Sequence, residues 1–318
     1  MPIPAETHKP LISICIATYN QCNYIEKCIT SVINQESEFT WELLIGDDQS
    51  TDGTSEKITQ ITSGLKNITH FRHKVRLGAS ANMQFLFGRA KGEYIAHLDG
   101  DDYWLPQKLQ KQIQHLQSHP DHVAVYSNAL TCNESGRITG QFNNLQDASI
   151  DLDMLLIHGN FLNNSSMILR RQQALEFCEI CPPFLDYQGH LQHALKGPLA
   201  HMGECLAVYR HNSSTSMVAS DNNHVRELYL AGILSVPKDR ISVQTRTLAL
   251  ADFMRRVAFR SIRELNFPML KYWWHRVSPL ATEGKFKLLS ASADVFIAQA
   301  IKQCVYRATN RAKVLYYY

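Results

Sequence analysis

The chain has 318 residues, of which 45% are hydrophobic and 19% are charged, and its formal net charge at pH 7 is +3. These proportions are typical of a folded globular protein and exclude an intrinsically disordered chain. No stretch stays apolar for the roughly 20 residues that a membrane-spanning helix needs, and the N-terminal segment lacks the basic start and apolar run of a signal peptide. We therefore expect a cytoplasmic protein with reduced cysteines.

The first 130 residues alternate between apolar segments of strand length and segments with helical spacing of apolar residues. This alternation predicts a doubly wound, mostly parallel α/β sheet. Pro106 suits the first turn of one of the helices. The predicted strands are residues 11–17, 41–45, 68–70, 94–98 and 123–128.

Carboxylates follow two of these strands. Asp48 comes after the second strand, and Asp99, Asp101 and Asp102 come directly after the strand at residues 94–98. Right-handed crossovers bring such strand ends to one edge of the sheet, where open α/β sheets bind ligands. Clustered like charges are unfavourable without a cation, and Mg²⁺ and Mn²⁺ prefer carboxylate oxygen. A solvated acidic turn that caps the next helix is the alternative interpretation.

The second part of the chain has a weaker pattern. Residues 135–164 contain interspersed Gly, Asn and Asp, which predicts a loop-rich segment over a site. A short strand at 167–169, a helix at 171–177, a helix that opens near Asp186 and two short strands within 199–209 follow. Cysteines 178 and 181 have CxxC spacing but no second pair, so we expect neither a zinc site nor a redox site there.

The C-terminal region is basic. From Lys238 to the end, 15 Lys and Arg stand against 5 Asp and Glu, whereas the preceding part has 17 against 24. Residues 241–265 predict an amphipathic helix. Its apolar face would hold Leu250, Phe253, Met254, Val257, Ala258 and Leu265, and its polar face Arg255, Arg256, Arg260 and Arg263. A second helical stripe contains Phe286, Leu289, Phe296, Ile297, Ala300, Ile301 and Cys304.

Two interpretations of this basic region stay open. It is either a helical subdomain that packs on the α/β core with solvated arginines, or a peripheral surface for anionic lipid on the inner membrane face. No recognised nucleic-acid module accompanies the basic residues, so we do not expect nucleic-acid binding.

The residues of these segments and the order in which they occur resemble those of the GT-A glycosyltransferases of family 2. The resemblance covers roughly residues 11–216, and it implies a GT-A domain at residues 1–220, with a nucleotide-binding part at about 10–130 and an acceptor part at about 131–220. A basic amphipathic helical region would occupy residues 221–318. The matching segments are SICIATYNQ, ELLIGDDQSTDGT, RLGASAN, GEYIAHLDGDDYWLPQKLQKQ, FLDYQGHLQHALKG and LAVYRHNSSTS.

The resemblance implies an inverting, metal-dependent transfer of a hexosyl or N-acetylhexosaminyl group from a nucleoside-diphosphate sugar. The donor would be UDP-linked, and the acceptor would be a hydroxyl of a glycan or lipid-linked oligosaccharide in cell-surface polysaccharide synthesis. By the same resemblance, Ala17 and Tyr19 would line the base and ribose pocket, and Asp48 would hydrogen-bond the base. Asp99 and Asp101 match the DXD motif, with Asp101 as the ligand of Mn²⁺ or Mg²⁺ and Asp99 nearer the ribose.

The remaining roles concern three residues. Asp186 matches the family's late carboxylate and would be the general base, with a helix N-cap as the alternative. Asp102 would join the metal shell or cap the following helix, and His211 would contact metal or diphosphate or be solvated. The chain departs from many relatives at three positions. Leu185 precedes Asp186 where relatives often have glutamate, and Ala81 precedes Asn82 where they often have arginine. His211 lies two residues after Tyr209, where relatives often have a histidine three residues after the tyrosine.

Two other functions fit parts of the pattern. A nucleotidyltransferase also uses strand-end acids and a divalent metal, but it often carries a Gly-rich phosphate loop with Lys or Arg after the first strand, where this chain reads ATYNQCNY. A non-catalytic glycan-binding module is the third possibility. No readable motif encodes the donor sugar, the acceptor or the linkage.

Overall fold

Four parallel strands form one part of the sheet, as the sequence predicts, and carboxylates follow the second and the fourth of them in chain order. In the computed structural model, which describes residues 9–211, 223–309 and 313–316, β1 (Ile12–Thr18) pairs with β2 (Trp41–Asp47) on one side and β4 (Tyr94–Asp99) on the other. β3 (Ile68–Arg72) extends the sheet beyond β2. The end of the LAVYRHNSSTS segment and the predicted boundary near residue 220 lie outside the described residues.

Helices connect these strands and cover the sheet. One detail of the prediction is wrong: Pro106 lies before the fourth helix, not in its first turn. The helix starts only after Gln107, whose φ of 64° is left-handed, and the short β5 (Tyr103–Trp104) precedes this turn. The helices are α1 (Ile25–Ile33), α2 (Thr54–Thr62), α3 (Ala79–Phe87) and α4 (Lys108–Ser118).

The sheet continues beyond β4 with mixed directions. β9 (Ile168–Arg170) is antiparallel to both β4 and β6 (Ala124–Cys132), so β6 runs parallel to β4. β10 (Leu199–Arg210) is one long strand parallel to β6, with register shifts between Met202 and Ala207. The expectation of two short strands there is wrong, because bulges interrupt the pairing without ending the strand.

Residues 135–164 are more ordered than predicted. They form β7 (Ile138–Asn143), β8 (Ala148–Ile150) and α5 (Leu152–His158). α5 begins at Asp151, whose side chain accepts a hydrogen bond from the Met154 N–H at 2.8 Å, a side-chain N-cap. α6 (Arg171–Phe177) matches its prediction, and α7 (Asp186–Ala194) follows the cis Pro182–Pro183 peptide.

The C-terminal region packs on this α/β core. Its elements are α8 (Asn223–Ser235), α9 (Val243–Arg263), α10 (Phe267–Val277), α11 (Lys285–Thr309) and β11 (Val314–Tyr316), which pairs with β7. α9 contacts α5, α10 and α11, and its Phe253 and Met254 are buried in the same hydrophobic cluster as Leu155 of α5. The apolar face of α9 is therefore largely as predicted, although Leu265 is 78% exposed.

Two expectations for this region need correction. Arg255 and Arg256 are not a solvated face, because both pair at 2.7 Å with the buried carboxylate of Asp252. On α11 the packed face contains Leu288 and Ala291, whereas much of the predicted stripe is exposed, including Phe286 at 90%. The helix is apolar on two faces, so spacing alone did not identify the packed one. Within the described residues, none of the helices combines the length and apolarity needed to cross a membrane.

Candidate active site

A cavity of about 890 Å³ opens at the carboxyl ends of β1, β2 and β4. Its lining brings together every site residue predicted from the sequence except one. It also contains residues of α8 and α9, so the C-terminal region forms part of the same cavity. The lining includes Ala17, Tyr19, Asp48, Asp99, Asp101, Asp102, Asp186, Arg226, Tyr229, Arg256 and Arg260.

Asp99 ends β4 and faces this cavity. His97 Nε2 lies 3.0 Å from its Oδ1, and the Ser165 hydroxyl donates to its Oδ2 at 3.1 Å. Burial opposes ionisation of Asp99, but the charge and hydrogen bond of His97 and the bond from Ser165 outweigh it and lower the pKa. The side chain of Asp99 is 41% exposed while that of His97 is buried. Asp99 is therefore an ionised carboxylate presented to the cavity.

Gly100 lets the following turn approach β1. Its N–H donates to the Ala17 carbonyl at 3.0 Å. A Cβ at this position would lie 2.4 Å from Gln21 Oε1 and 2.7 Å from Thr18 Oγ1, closer than non-bonded atoms tolerate. Packing against Thr18 therefore favours glycine at position 100.

Asp102 anchors the acidic turn, which we define as residues 99–102. Its Oδ1 accepts the Arg210 N–H at 2.7 Å, and its Oδ2 accepts the Ser165 hydroxyl. Burial raises the pKa of Asp102 well above its usual range, and the charges of Asp101 and Asp99 add to the effect. The helix-cap alternative is wrong, because α4 begins later and its N-cap residue is Gln107.

Arg210 holds the same turn from the end of β10. Its Nε donates to the Asp101 carbonyl at 3.1 Å, and its Nη1 donates to the carbonyls of Asn133 and Glu134 at 2.7 and 3.0 Å. The guanidinium also lies 4.3 Å from the ring centre of Tyr24. Arg210 thus joins the acidic turn to the β6–β7 connection.

The 3-10 turn Asn164–Ser166 supports the acidic turn from the interior. Trp104 Nε1 donates to the Ser165 carbonyl at 2.7 Å, and Gln112 Nε2 donates to the Ser166 carbonyl at 3.1 Å. Ser165 was not predicted from the sequence, because a serine within a polar stretch belongs to no recognisable motif. The two carboxylates that it contacts lie more than 60 residues before it in the chain.

On the predicted nucleotide side, Asp48 is 3% exposed and organises the loop before α3. Its two oxygens accept the N–H groups of Leu77 and Gly78 at 2.6 and 2.9 Å. The Arg76 guanidinium stacks on the Tyr19 ring at 3.8 Å from its centre. Arg76 was not predicted, because the family resemblance places an arginine at a later position, which is Ala81 in this chain.

Asp186 is the first residue of α7. Its Oδ1 accepts from Asn160 Nδ2 at 3.1 Å and from the Tyr187 N–H at 2.8 Å. Burial raises the pKa of Asp186; the bonds from Asn160 and Tyr187 oppose this shift, and the charge of Asp99 adds to it. The N-cap residue is Leu185, so Asp186 is not the N-cap that the alternative interpretation required.

Asn160 is itself held from two helices. Its Oδ1 lies 3.2 Å from His190 Nδ1 in α7, and its N–H donates to the Tyr229 hydroxyl in α8 at 3.0 Å. Burial lowers the pKa of His190 to about 3, so this imidazole is neutral. We call Asp186, Asn160, His190 and Tyr229 the Asp186 network; only its aspartate was identified from the sequence.

His211 is the exception among the predicted site residues. Its Nε2 lies 2.8 Å from the Thr139 hydroxyl, and it is not among the described residues that line the cavity. The structure therefore places its imidazole against β7 and not in the lining of the cavity.

Sequence comparisons identify relatives of this chain. A model of glycosyl transferase family 2 matches residues 13–178. An uncharacterized protein of Mycobacterium tuberculosis is 32% identical over 209 residues, which cover 64% of this chain and 59% of that protein. An uncharacterized glycosyltransferase of Haemophilus influenzae is 31% identical over 224 residues, 66% of this chain and 68% of that one. The putative teichuronic acid biosynthesis glycosyltransferase TuaG of Bacillus subtilis is 38% identical over 108 residues, 34% of this chain and 42% of that one.

Solved structures share the fold. S. aureus TarS 1-349 in complex with UDP-GlcNAc superposes with a TM-score of 0.65 at 17% identity, covering 92% of each chain. The mannosyltransferase PcManGT from Pyrobaculum calidifontis, in complex with GDP-Man and Mn²⁺, gives 0.53 at 15% identity, covering 92% of this chain and 88% of that one. At these identities the likeness shows the fold alone. Because the family model matches more than half of the residues, this chain belongs to glycosyl transferase family 2 and has its GT-A fold.

Proposed function

We propose that the chain is an inverting, metal-dependent glycosyltransferase. It moves a hexosyl or N-acetylhexosaminyl group from a UDP-linked donor to a hydroxyl of a glycan or lipid-linked oligosaccharide, in the synthesis of a cell-surface polysaccharide. The observation that carries the proposal is one cavity that holds both Asp99 of the acidic turn, with its lowered pKa, and Asp186, with its raised pKa. The biosynthetic role is supported by the relative named for teichuronic acid biosynthesis.

The acidic turn fits a divalent cation. Three carboxylates converge there, and burial together with the charges of Asp101 and Asp99 raises the pKa of Asp102; a bound cation would relieve the repulsion between these charges. Asp101 would hold Mn²⁺ or Mg²⁺, with Asp99 on the ribose side; Asp102 acts as the anchor described above. When bound, the cation supplies electrostatic stabilisation of the charge that develops on the departing diphosphate.

Asp186 is the proposed general base. Its raised pKa gives the carboxylate a greater affinity for the proton of the acceptor hydroxyl, and the Asn160 bond fixes its orientation. As Asp186 takes this proton, the hydroxyl oxygen attacks the anomeric carbon on the face opposite the nucleoside diphosphate. The carbon–oxygen bond to the diphosphate breaks, and the configuration at the anomeric carbon inverts.

Tyr19, Arg76 and Asp48 form the proposed base pocket, with Ala17 beside the ribose. The UDP assignment rests on the family resemblance and on the neighbour solved with UDP-GlcNAc. A second neighbour was solved with GDP-Man, which makes a guanosine donor the competing outcome.

The acceptor end of the cavity would be formed by α8 and α9. Arg226, Arg256 and Arg260 line it together with Tyr229. Because Arg256 pairs with Asp252 and Arg260 pairs with Glu264, their guanidinium groups would offer the acceptor hydrogen-bond donors whose charge is already balanced.

The experiment is a donor panel. Purified protein is incubated with UDP-, GDP- and dTDP-sugars with Mn²⁺, with Mg²⁺ or with EDTA, and the released nucleotide is identified. We expect UDP from a UDP-sugar only when the metal is present. Release of pyrophosphate from a nucleoside triphosphate and a sugar phosphate would instead indicate a nucleotidyltransferase, and binding without turnover would indicate a glycan-binding module.

We also propose that α11 contacts the anionic inner face of a membrane. Its exposed side chains include Phe286 and Ile297 at 90% and 56% exposure, and Lys285 and Lys287 flank the former. Apolar groups beside basic ones suit an anionic lipid surface. Phe286→Ser with Ile297→Ser should reduce co-sedimentation with phosphatidylglycerol vesicles. Equal sedimentation of the variant and the unaltered chain would contradict the proposal.

A further inference from the structure

Three histidines gather at the sheet edge opposite the cavity. His115 lies in the last turn of α4, His119 follows this helix directly, and His122 precedes β6. β6 starts at the level of Ile95, the second residue of β4, because Leu169 of β9 pairs with both Ala124 and Ile95. Asp99 ends β4, so the cluster and the acidic turn lie at opposite ends of the parallel strands.

The three side chains already approach metal-site geometry. One ligand nitrogen from each histidine lies within 4.8 Å of the others, and His115 Nε2 is 3.3 Å from His122 Nδ1. In a tetrahedral site with Zn–N bonds near 2.0–2.1 Å, two ligand nitrogens stand about 3.3–3.4 Å apart. One edge of the tetrahedron therefore has its final length, and His119, which is exposed, can rotate to complete the set.

The outer nitrogens have partners that can accept a hydrogen bond in the required tautomers. His122 Nε2 lies 3.1 Å from the Ser149 hydroxyl of β8, and His119 Nδ1 lies 3.0 Å from the His115 carbonyl. Protons on these two nitrogens leave His122 Nδ1 and His119 Nε2 with lone pairs. Metal-binding histidines characteristically donate their second ring N–H to such a partner.

The charge state also suits a cation. Burial lowers the pKa of His115, with further lowering by His119 and His122, and burial lowers the pKa of His122 as well. Neutral imidazoles are the form that binds metal. The carboxylates of Asp121 and Asp147 act on His115 from nearby and would offset part of the added positive charge.

We propose that His115, His119 and His122 form a site for one zinc-class divalent cation, with water as the fourth ligand. Three imidazoles suit Zn²⁺, Co²⁺ or Ni²⁺, whereas the carboxylates of the acidic turn suit Mg²⁺ or Mn²⁺. The cation would fasten the end of α4 to the start of β6, and through the Ser149 bond to β8. Its role is structural and separate from glycosyl transfer.

The test uses the full chain carrying Asp101→Asn, which weakens competition from the acidic turn. Co²⁺ is titrated and followed by the visible absorption of tetrahedral Co²⁺, and Zn²⁺ is then added to displace it. We expect one equivalent, a loss of affinity of at least about tenfold in His119→Gln, and no change in His275→Gln, an exposed histidine of α10. Ser149→Ala, which leaves all three ligands in place, should weaken binding by about 10- to 100-fold.

Thermal unfolding gives the second readout. Zn²⁺ should raise the Tm of the Asp101→Asn chain but not that of the same chain with His119→Gln, and the two chains should have equal Tm in EDTA. No tetrahedral Co²⁺ spectrum, or equal affinity with and without His119→Gln, would overturn the proposal. If His119→Gln lowers the Tm in EDTA, the Co²⁺ affinity of the Ser149→Ala variant becomes the decisive measurement. An unchanged Co²⁺ affinity in Ser149→Ala would also overturn the proposal.

Discussion

Asp99 of the acidic turn and Asp186 of the Asp186 network lie in the same cavity, but their pKa values are shifted in opposite directions. His97 and Ser165 lower the pKa of Asp99, whereas burial raises that of Asp186. A carboxylate that stays ionised suits a cation, and one with a greater proton affinity suits a general base. The surroundings of each aspartate, and not its residue type, therefore determine which of the two proposed tasks it suits.

The two regions also differ in how they are assembled. The acidic turn follows directly from a strand end, with Gly100 allowing close approach to β1. The Asp186 network joins Asn160, in the loop after α5, to α7 and α8, which are distant from it in sequence. Variants of each region should therefore fail in different ways, and the expected effects follow from the largest to the smallest.

Asp101→Asn should abolish the metal-dependent step. Loss of a charge that holds the cation removes several kcal/mol of stabilisation, which corresponds to a rate reduction of about a thousandfold or more. Isothermal titration should show that UDP binding in Mn²⁺ falls to the level measured in EDTA. If Asp101→Asn retained full metal-dependent turnover, the metal assignment would be wrong.

Asp186→Asn should slow transfer by about 10²- to 10⁴-fold, the usual contribution of a general base. UDP affinity in Mn²⁺ should stay as in the unaltered chain, because the acidic turn is intact. Initial rates and nucleotide titration on the same preparation separate the two effects. Undiminished transfer, or a loss of nucleotide binding that matches the loss of rate, would contradict the division of tasks.

Asn160→Ala should move the acid limb of the pH–rate profile to higher pH. Asn160 donates to the ionised carboxylate and holds down its pKa, so without this bond Asp186 is protonated, and inactive as a base, up to a higher pH. The rate loss should therefore be larger at low pH than at high pH. Asn67→Ala, an exposed asparagine, is the matched control, and a pH-independent loss in Asn160→Ala would count against this role.

Ser165→Ala should have the smallest effect of the series. It removes the hydroxyl whose single proton is shared between the carboxylates of Asp99 and Asp102, at a cost of about 1–3 kcal/mol of unfolding free energy for the buried groups left unpaired. Urea denaturation measures this cost, and Mn²⁺ titration should show a weakened metal site. Ser290→Ala, on an exposed part of α11, should change neither quantity.

The sequence was most informative where local structure determines position. Asp99 and Asp101 were placed correctly in one cavity with Asp48 because parallel strands end at one edge of the sheet. Asn160, Ser165 and Arg76 were not identified, since their partners come from segments far along the chain. Spacing on α11 could not select the packed face, because both faces carry apolar residues.

The configuration of the transferred sugar tests the central claim most directly. ¹H NMR of the glycoside formed from an α-linked UDP-sugar gives the anomeric coupling constant of the transferred sugar. A single displacement assisted by Asp186 predicts a β-linked product. An α-linked product would contradict the account, because retention cannot arise from one displacement on the face opposite the diphosphate.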